Sequence, residues 1–241
     1  SAAQPLAFSW VVISDNPEIR DFLLKHMALQ RYQALSDLDD TELTRLLDDA
    51  DEQARELLAT QGFFNPQLSW QKNPAQGPSP LGQVTLTVDT GPPARITQVQ
   101  WQWLGELTQA PTGLRQQTGI QKQWGLPPGA PFTQAAWSQA KNNALRQLVS
   151  EHYPWGRLAT SEARVDAENN QVLLSVTVDS GPAVRLGALN ITGATKYGAL
   201  QVERLARLSP DQPYRQSDLL EAQQRLVLSG FYDSVFVSLE P

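Results

Sequence analysis

The stretch VTLTVDTGPPARI, residues 84–96, returns ninety positions later as LSVTVDSGPAVRL, residues 174–186. A phrase repeated at the spacing of a small domain constrains the fold more than any single motif, because each copy must fill the same structural position. Val88, Asp89, Gly91, Pro92 and Arg95 fall on Val178, Asp179, Gly181, Pro182 and Arg185; Ile96 meets Leu186, Val99 meets Leu189 and Trp101 meets Ile191. In each copy apolar and polar residues alternate, as on a half-buried strand. Asp-Thr-Gly-Pro and Asp-Ser-Gly-Pro then supply turn chemistry, since Gly accepts positive φ and Pro cannot continue a ladder. A second strand follows, RITQVQWQW in the first copy and RLGALNITG in the second. The phrase is therefore a boundary, and two boundaries make three units, at 1–91, 92–181 and 182–241.

The interior of each unit repeats too. In the first, Leu43, Leu46, Leu47, Ala50, Ala54, Leu57 and Leu58 lie at helical spacing. Asp39 is the expected N-cap, with Glu42 completing a capping box. Gly62 ends the helix and GFFNPQLSW follows. In the third unit Ser217 is the expected cap, Leu219, Ala222 and Leu226 form the stripe, and Gly230 is expected to turn the chain into a strand, with Phe231 and Tyr232 expected under the sheet. The second unit carries Ala136, Trp137, Ala140, Ala144 and Leu148, but reads Glu151-His152-Tyr153-Pro154 where Gly-Phe-Phe is expected. There Pro154 is expected to end the helix. A shorter helix precedes each long one: behind Pro17 with Ile19, Phe22, Leu23 and Met27 on its apolar face, and over 197–207 in the third unit. In the second unit, QAPTGLRQQTGI holds two Gly and is expected to be short or irregular. Each unit then reads strand–helix–helix–strand–strand, an α+β sandwich of two layers.

Composition narrows the function classes. The 241 residues are 41% hydrophobic with seven Trp, enough for real cores. Twenty-five acids against nineteen bases give a net charge of −6, which argues against a nucleic-acid partner and against a polybasic membrane lock. The absence of Cys excludes disulfides, thiolate metal sites and thiol catalysis; it also suits an oxidising compartment. The acids Asp37, Asp39, Asp40 and Glu42 lack the Gly and Glu of a calcium loop and suit a helix N-terminus. His26 and His152 stand in different units without ligand partners. Ser36 and Ser229 lack a nucleophile frame, and Pro after Gly removes the N–H that a phosphate cradle would use. No catalytic residue, cofactor or metal is expected, and the chain is not expected to be an enzyme. Trp101 and Trp103 share a strand face, read as core or as an exposed aromatic platform.

The tandem β-α-α-β-β unit resembles the POTRA domain, the periplasmic arm of outer-membrane assembly and secretion pores. The resemblance rests on LLATQGFFNPQL (57–68), VTVDSGPAVRLGALNITG (176–193) and PYRQSDLLEAQQRLVLSGFYDSVFVSL (213–239). It implies three tandem POTRA domains, each with two helices on a three-stranded mixed sheet, the third ending before its last strand. Three units is the count of the TamA branch; a BamA-like arm, a two-partner secretion arm and a stand-alone scaffold are the alternatives. The implied location is the periplasmic side of a Gram-negative outer membrane. The implied partners are unfolded outer-membrane protein clients, a TamB-like periplasmic protein, and a C-terminal membrane barrel that this sequence does not contain. In POTRA domains the second strand is the exposed sheet edge, which here means 67–72, 158–166 and 234–239. Candidate partner-binding residues are Gln67, Leu68, Ser69, Trp70 and Gln71, with Ser234, Val235, Phe236, Val237, Ser238 and Leu239. Such an edge would accept an extended strand by backbone pairing.

Overall fold

The structure, a computed structural model, describes residues 6–74, 79–190, 199–230 and 235–241. The first repeat runs β1 (Ser9–Ser14), α1 (Pro17–His26), a single-turn α2 (Leu29–Tyr32), α3 (Asp40–Thr60), β2 (Gln67–Asn73) and β3 (Gln83–Asp89). The second runs β4 (Arg95–Leu104), a 3-10 turn at Glu106–Thr108, α4 (Pro111–Lys122), α5 (Gln134–Ser150), β5 (Arg157–Asp166) and β6 (Gln171–Asp179). The third contributes α6 (Ala199–Ala206) and α7 (Gln216–Leu228). The α+β class holds, with two three-stranded sheets in the orders β1-β3-β2 and β4-β6-β5. In the first sheet β3 pairs parallel with β1 and antiparallel with β2, so the sheet is mixed. The chain divides into two compact units, one of residues 1–99, 126–138 and 163–173, the other of residues 100–125, 139–162 and 174–241.

In the first unit, Leu43, Ala50, Ala54 and Leu58 of α3 are buried against Trp10, Val12, Val84, Leu86 and Val88 of the sheet. Apolar residues on one helical stripe and alternate strand positions meet as the two periods require. Asp39 caps α3, its Oδ1 accepting from the Glu42 N–H at 2.8 Å. Asn16 caps α1, accepting from the Glu18 and Ile19 N–H groups at 3.2 and 3.3 Å. The repeated phrase folds alike in both copies. Asp89 Oδ1 accepts from the Gly91 N–H at 3.1 Å, and Asp179 Oδ1 from the Gly181 N–H at 3.0 Å. Both Gly take positive φ, 64° and 62°.

Several expectations fail for identifiable reasons. The stretch with two Gly forms a regular twelve-residue helix, α4. Gly113 is there for close approach, since a Cβ would sit 1.9 Å from the Leu107 carbonyl oxygen. At the end of α5 the left-handed position belongs to His152, at φ 64°, and not to a Gly; Pro154 follows two residues later. Ser217 does not cap α7. The cap position is Arg215, with no side-chain bond, and its extended backbone instead bridges to Glu151. The pair after Gly62 divides, Phe63 packing on the first core and Phe64 meeting Phe132 with ring centroids 6.0 Å apart. Phe231 and Tyr232 lie outside the described residues.

The third repeat departs most. RLGALNITG shows only an isolated bridge at Arg185 through residue 190, and the rest lies outside the described residues. Val235–Leu239 form no strand. In both complete sheets the first and second strands of the repeat pair only with the third, which lies between them. A strand is a paired structure, and among the described residues of the third repeat no ladder forms.

Candidate edge-strand interface

β2 pairs with β3 from Gln67↔Asp89 to Asn73↔Gln83 and, among the described residues, has no strand on its other flank. Leu68 and Trp70 are half-buried, while Gln67, Ser69 and Gln71 are exposed. Three side-chain links tie this edge to α3. Arg55 Nη1 donates to the Pro66 carbonyl at 3.3 Å, Trp70 Nε1 donates to Asp51 Oδ1 at 3.0 Å, and Lys72 pairs with Asp40. Trp70 also stacks on Trp10, with centroids 5.8 Å apart and planes at 13°. The Arg55 guanidinium, donating to Asp51 Oδ2 at 2.8 Å, holds the Asp51 carboxyl below its ordinary value against the opposing push of partial burial; the Trp70 indole adds to the lowering. The result is an edge strand held in place from behind with its outer flank open.

β5 lies at the end of the second sheet and is ten residues long. Only Leu158, Ala159 and Ala163 are half-buried; the rest is exposed. Arg157 Nη2 reaches Asp179 Oδ2 at 3.3 Å and fastens its start to β6. The other edge, β4, is covered at its beginning. The Phe132 N–H donates to Ala94 O and the Ile96 N–H to Ala130 O, both at 2.9 Å. The sequence places a sheet edge at 158–166, and β5 lies there.

The third candidate segment is not an edge strand. Val235 and Val237 pack on the cluster of Val202, Ala206, Ala222 and Leu226 from α6 and α7. The Val237 N–H donates to Gln223 Oε1 at 3.2 Å. Ser238 faces solvent, Leu239 is half-buried and Phe236 is 85% exposed. The alternation of a strand is present and the ladder is not. Ser234 lies outside the described residues. Trp101 and Trp103 stack at 5.3 Å, and Trp101 meets Trp124 edge-on at 5.0 Å. Trp124 is buried, so this group is anchored in packing and is not a free platform. Among the described residues no three His, Asp or Glu side chains gather to hold a metal ion, and no helix is long and apolar enough to cross a membrane.

No family model and no curated protein matches the sequence. Among solved structures, the chain is similar to POTRA domains 3–5 of BamA from Haemophilus influenzae, at 16% identity and TM-score 0.48, over 96% of this chain and 88% of that one. It is similar to the N-terminal domain of Omp85 from the thermophilic cyanobacterium Thermosynechococcus elongatus, at 15% identity and TM-score 0.37, over 100% and 92%. It is also similar to CdiB from Escherichia coli, at 13% identity and TM-score 0.31, over 80% of this chain and 28% of that one. Likeness at these identities says nothing of activity.

Proposed function

We propose that this chain is the periplasmic POTRA region of an outer-membrane β-barrel assembly or secretion protein, TamA-like in its count of units. It acts by binding and not by catalysis. Its ligands are extended segments of outer-membrane protein clients or of a TamB-like periplasmic partner, taken up as an added strand on β2 and β5. The observation that carries this reading is the built edge of β2. Among the described residues its outer flank has no strand neighbour, while Trp70, Lys72 and the Pro66 carbonyl tie it to α3. A pre-set edge loses little freedom when a strand adds to it, so weak backbone pairing suffices for reversible capture.

The test is binding of an extended, alternating apolar peptide before and after N-methylation at two inward-bonding positions. Each backbone hydrogen bond contributes about 0.5–1.5 kcal/mol net, so methylation is expected to weaken binding about tenfold. Equal affinity of the two peptides would reject strand addition. Fractionation of source cells tests location separately: an outer-membrane band is expected, and a soluble band would favour a stand-alone scaffold.

A further inference from the structure

The two repeat boundaries carry one hydrogen-bond pattern, built twice. At the first, the Ala94 N–H donates to Gly62 O at 2.9 Å and the Gly129 N–H to Ile96 O at 2.7 Å. The Phe132 and Ile96 bonds described above lie between them. Arg95 Nη1 adds a bond to Gly129 O at 2.9 Å. At the second, the Val184 N–H donates to His152 O at 2.7 Å, Tyr214 to Val184 O at 3.0 Å, Leu186 to Gln212 O at 2.8 Å and Asp211 to Leu186 O at 2.6 Å. Arg185 Nη1 donates to Asp211 O at 2.9 Å. Even the backbone form recurs, with positive φ at Gly129 (89°) and Asp211 (68°) and antiparallel bridges at Arg95↔Pro131 and Arg185↔Pro213. Each set joins three sequence-distant pieces: the corner after one repeat's long helix, the segment that follows the Gly-Pro turn, and the peptide ahead of the next repeat's own long helix.

We infer that residues 129–132 and 211–214 are clasps, by which each repeat boundary is closed with a peptide of the following repeat. The apolar anchors fit this role. Phe132 and Tyr214 are 3% and 6% exposed, and burial pushes the Tyr214 phenol above its ordinary value. Consistent with a clasp, residues 126–138 belong to the same compact unit as the first repeat. A boundary held by four backbone bonds and a buried ring opens with the adjoining core, not as a loose linker. The inference does not depend on what the edges bind.

Native-state hydrogen exchange on the full chain tests it. The amides of Ala94, Ile96, Gly129 and Phe132 are expected to exchange within about tenfold of the Leu86 amide in β3, as in one cooperative unit. The Val184, Leu186, Asp211 and Tyr214 amides are expected to follow Leu174 of β6 in the same way. Clasp amides that exchange near the unprotected rate while β3 and β6 stay protected would overturn the inference. Gly62→Val should release the first clasp and spare the second, because its Cβ would meet the Phe132 carbonyl oxygen at 2.0 Å. Arg95→Ala, which disturbs no core residue, should speed exchange at Ile96 and Gly129 about fivefold and leave Val184 and Tyr214 unchanged. A first clasp unmoved by both variants would also overturn it.

Discussion

The corner after the long helix is built on Gly62 in the first repeat and on His152 in the second, ninety positions on. Both take positive φ, 90° and 64°, and both carbonyls accept a backbone N–H from beyond the following Gly-Pro, of Ala94 and of Val184. The surroundings differ. The Phe132 carbonyl lies against the Cα of Gly62 and leaves no room for a Cβ. The Tyr214 carbonyl instead accepts the His152 N–H at 2.8 Å, leaving the side chain free to lean on Tyr153, 5.9 Å between ring centroids. At the second corner Glu151 pairs with Arg215 at 3.5 Å, and Glu106 Oε2 accepts from the Ala183 N–H at 2.8 Å. One backbone path thus tolerates two side-chain solutions. The Gly at the first corner answers a steric demand, while the His at the second bears a conformational cost that its contacts offset.

The largest effect that would sharpen this contrast is Gly62→Val. It is expected to cost about 3 kcal/mol or more, from a clash with backbone added to an unfavourable φ. The shift of the urea midpoint reads it; a loss under about 1 kcal/mol would mean the Phe132 peptide moves aside easily. Next is Trp70→Ala, expected to cost about 2–3 kcal/mol by leaving Trp10 uncovered and the β2 edge loose. The Trp70 anchor belongs to the first repeat, so the second repeat should hold its protection in this variant. The opposite sign is expected for His152→Gly, a gain of about 0.5–1 kcal/mol from relief of the left-handed backbone; a loss would show that the ring packing outweighs the strain.

The smallest effect is at Asp51. Its folded pKa is depressed, so the Arg55–Asp51–Trp70 link contributes stability above the unfolded value. That contribution is lost as pH falls through the ordinary carboxylate pKa of about 3.9 and then through the folded one. Being largely exposed, the pair contributes little. Asp51→Asn should flatten the acid limb of the first repeat's stability curve slightly and leave neutral pH nearly unchanged. An unaltered acid limb would assign the depression no share in stability.

Sequence reasoning went furthest where the cause is local. The Asp-x-Gly-Pro turns, the Asp39 cap, the Gly at the end of α3 and the stripe of Leu43, Ala50, Ala54 and Leu58 all depend on residues a few positions apart. The order of elements in the first two repeats and the edge position of β2 followed from the repeat and its resemblance. Tertiary structure alone decided the rest. Gly113 reads as a helix breaker until the Leu107 carbonyl is beside it. Arg215 is left to cap α7 because its backbone is committed to Glu151. Val235–Leu239 alternate as a strand should and still form none, because alternation prepares a face whereas a ladder needs a neighbouring chain to accept its hydrogen bonds. The clasps leave no trace in any one stretch of sequence. They are contacts between backbone groups, and every residue type carries the same N–H and C=O apart from proline.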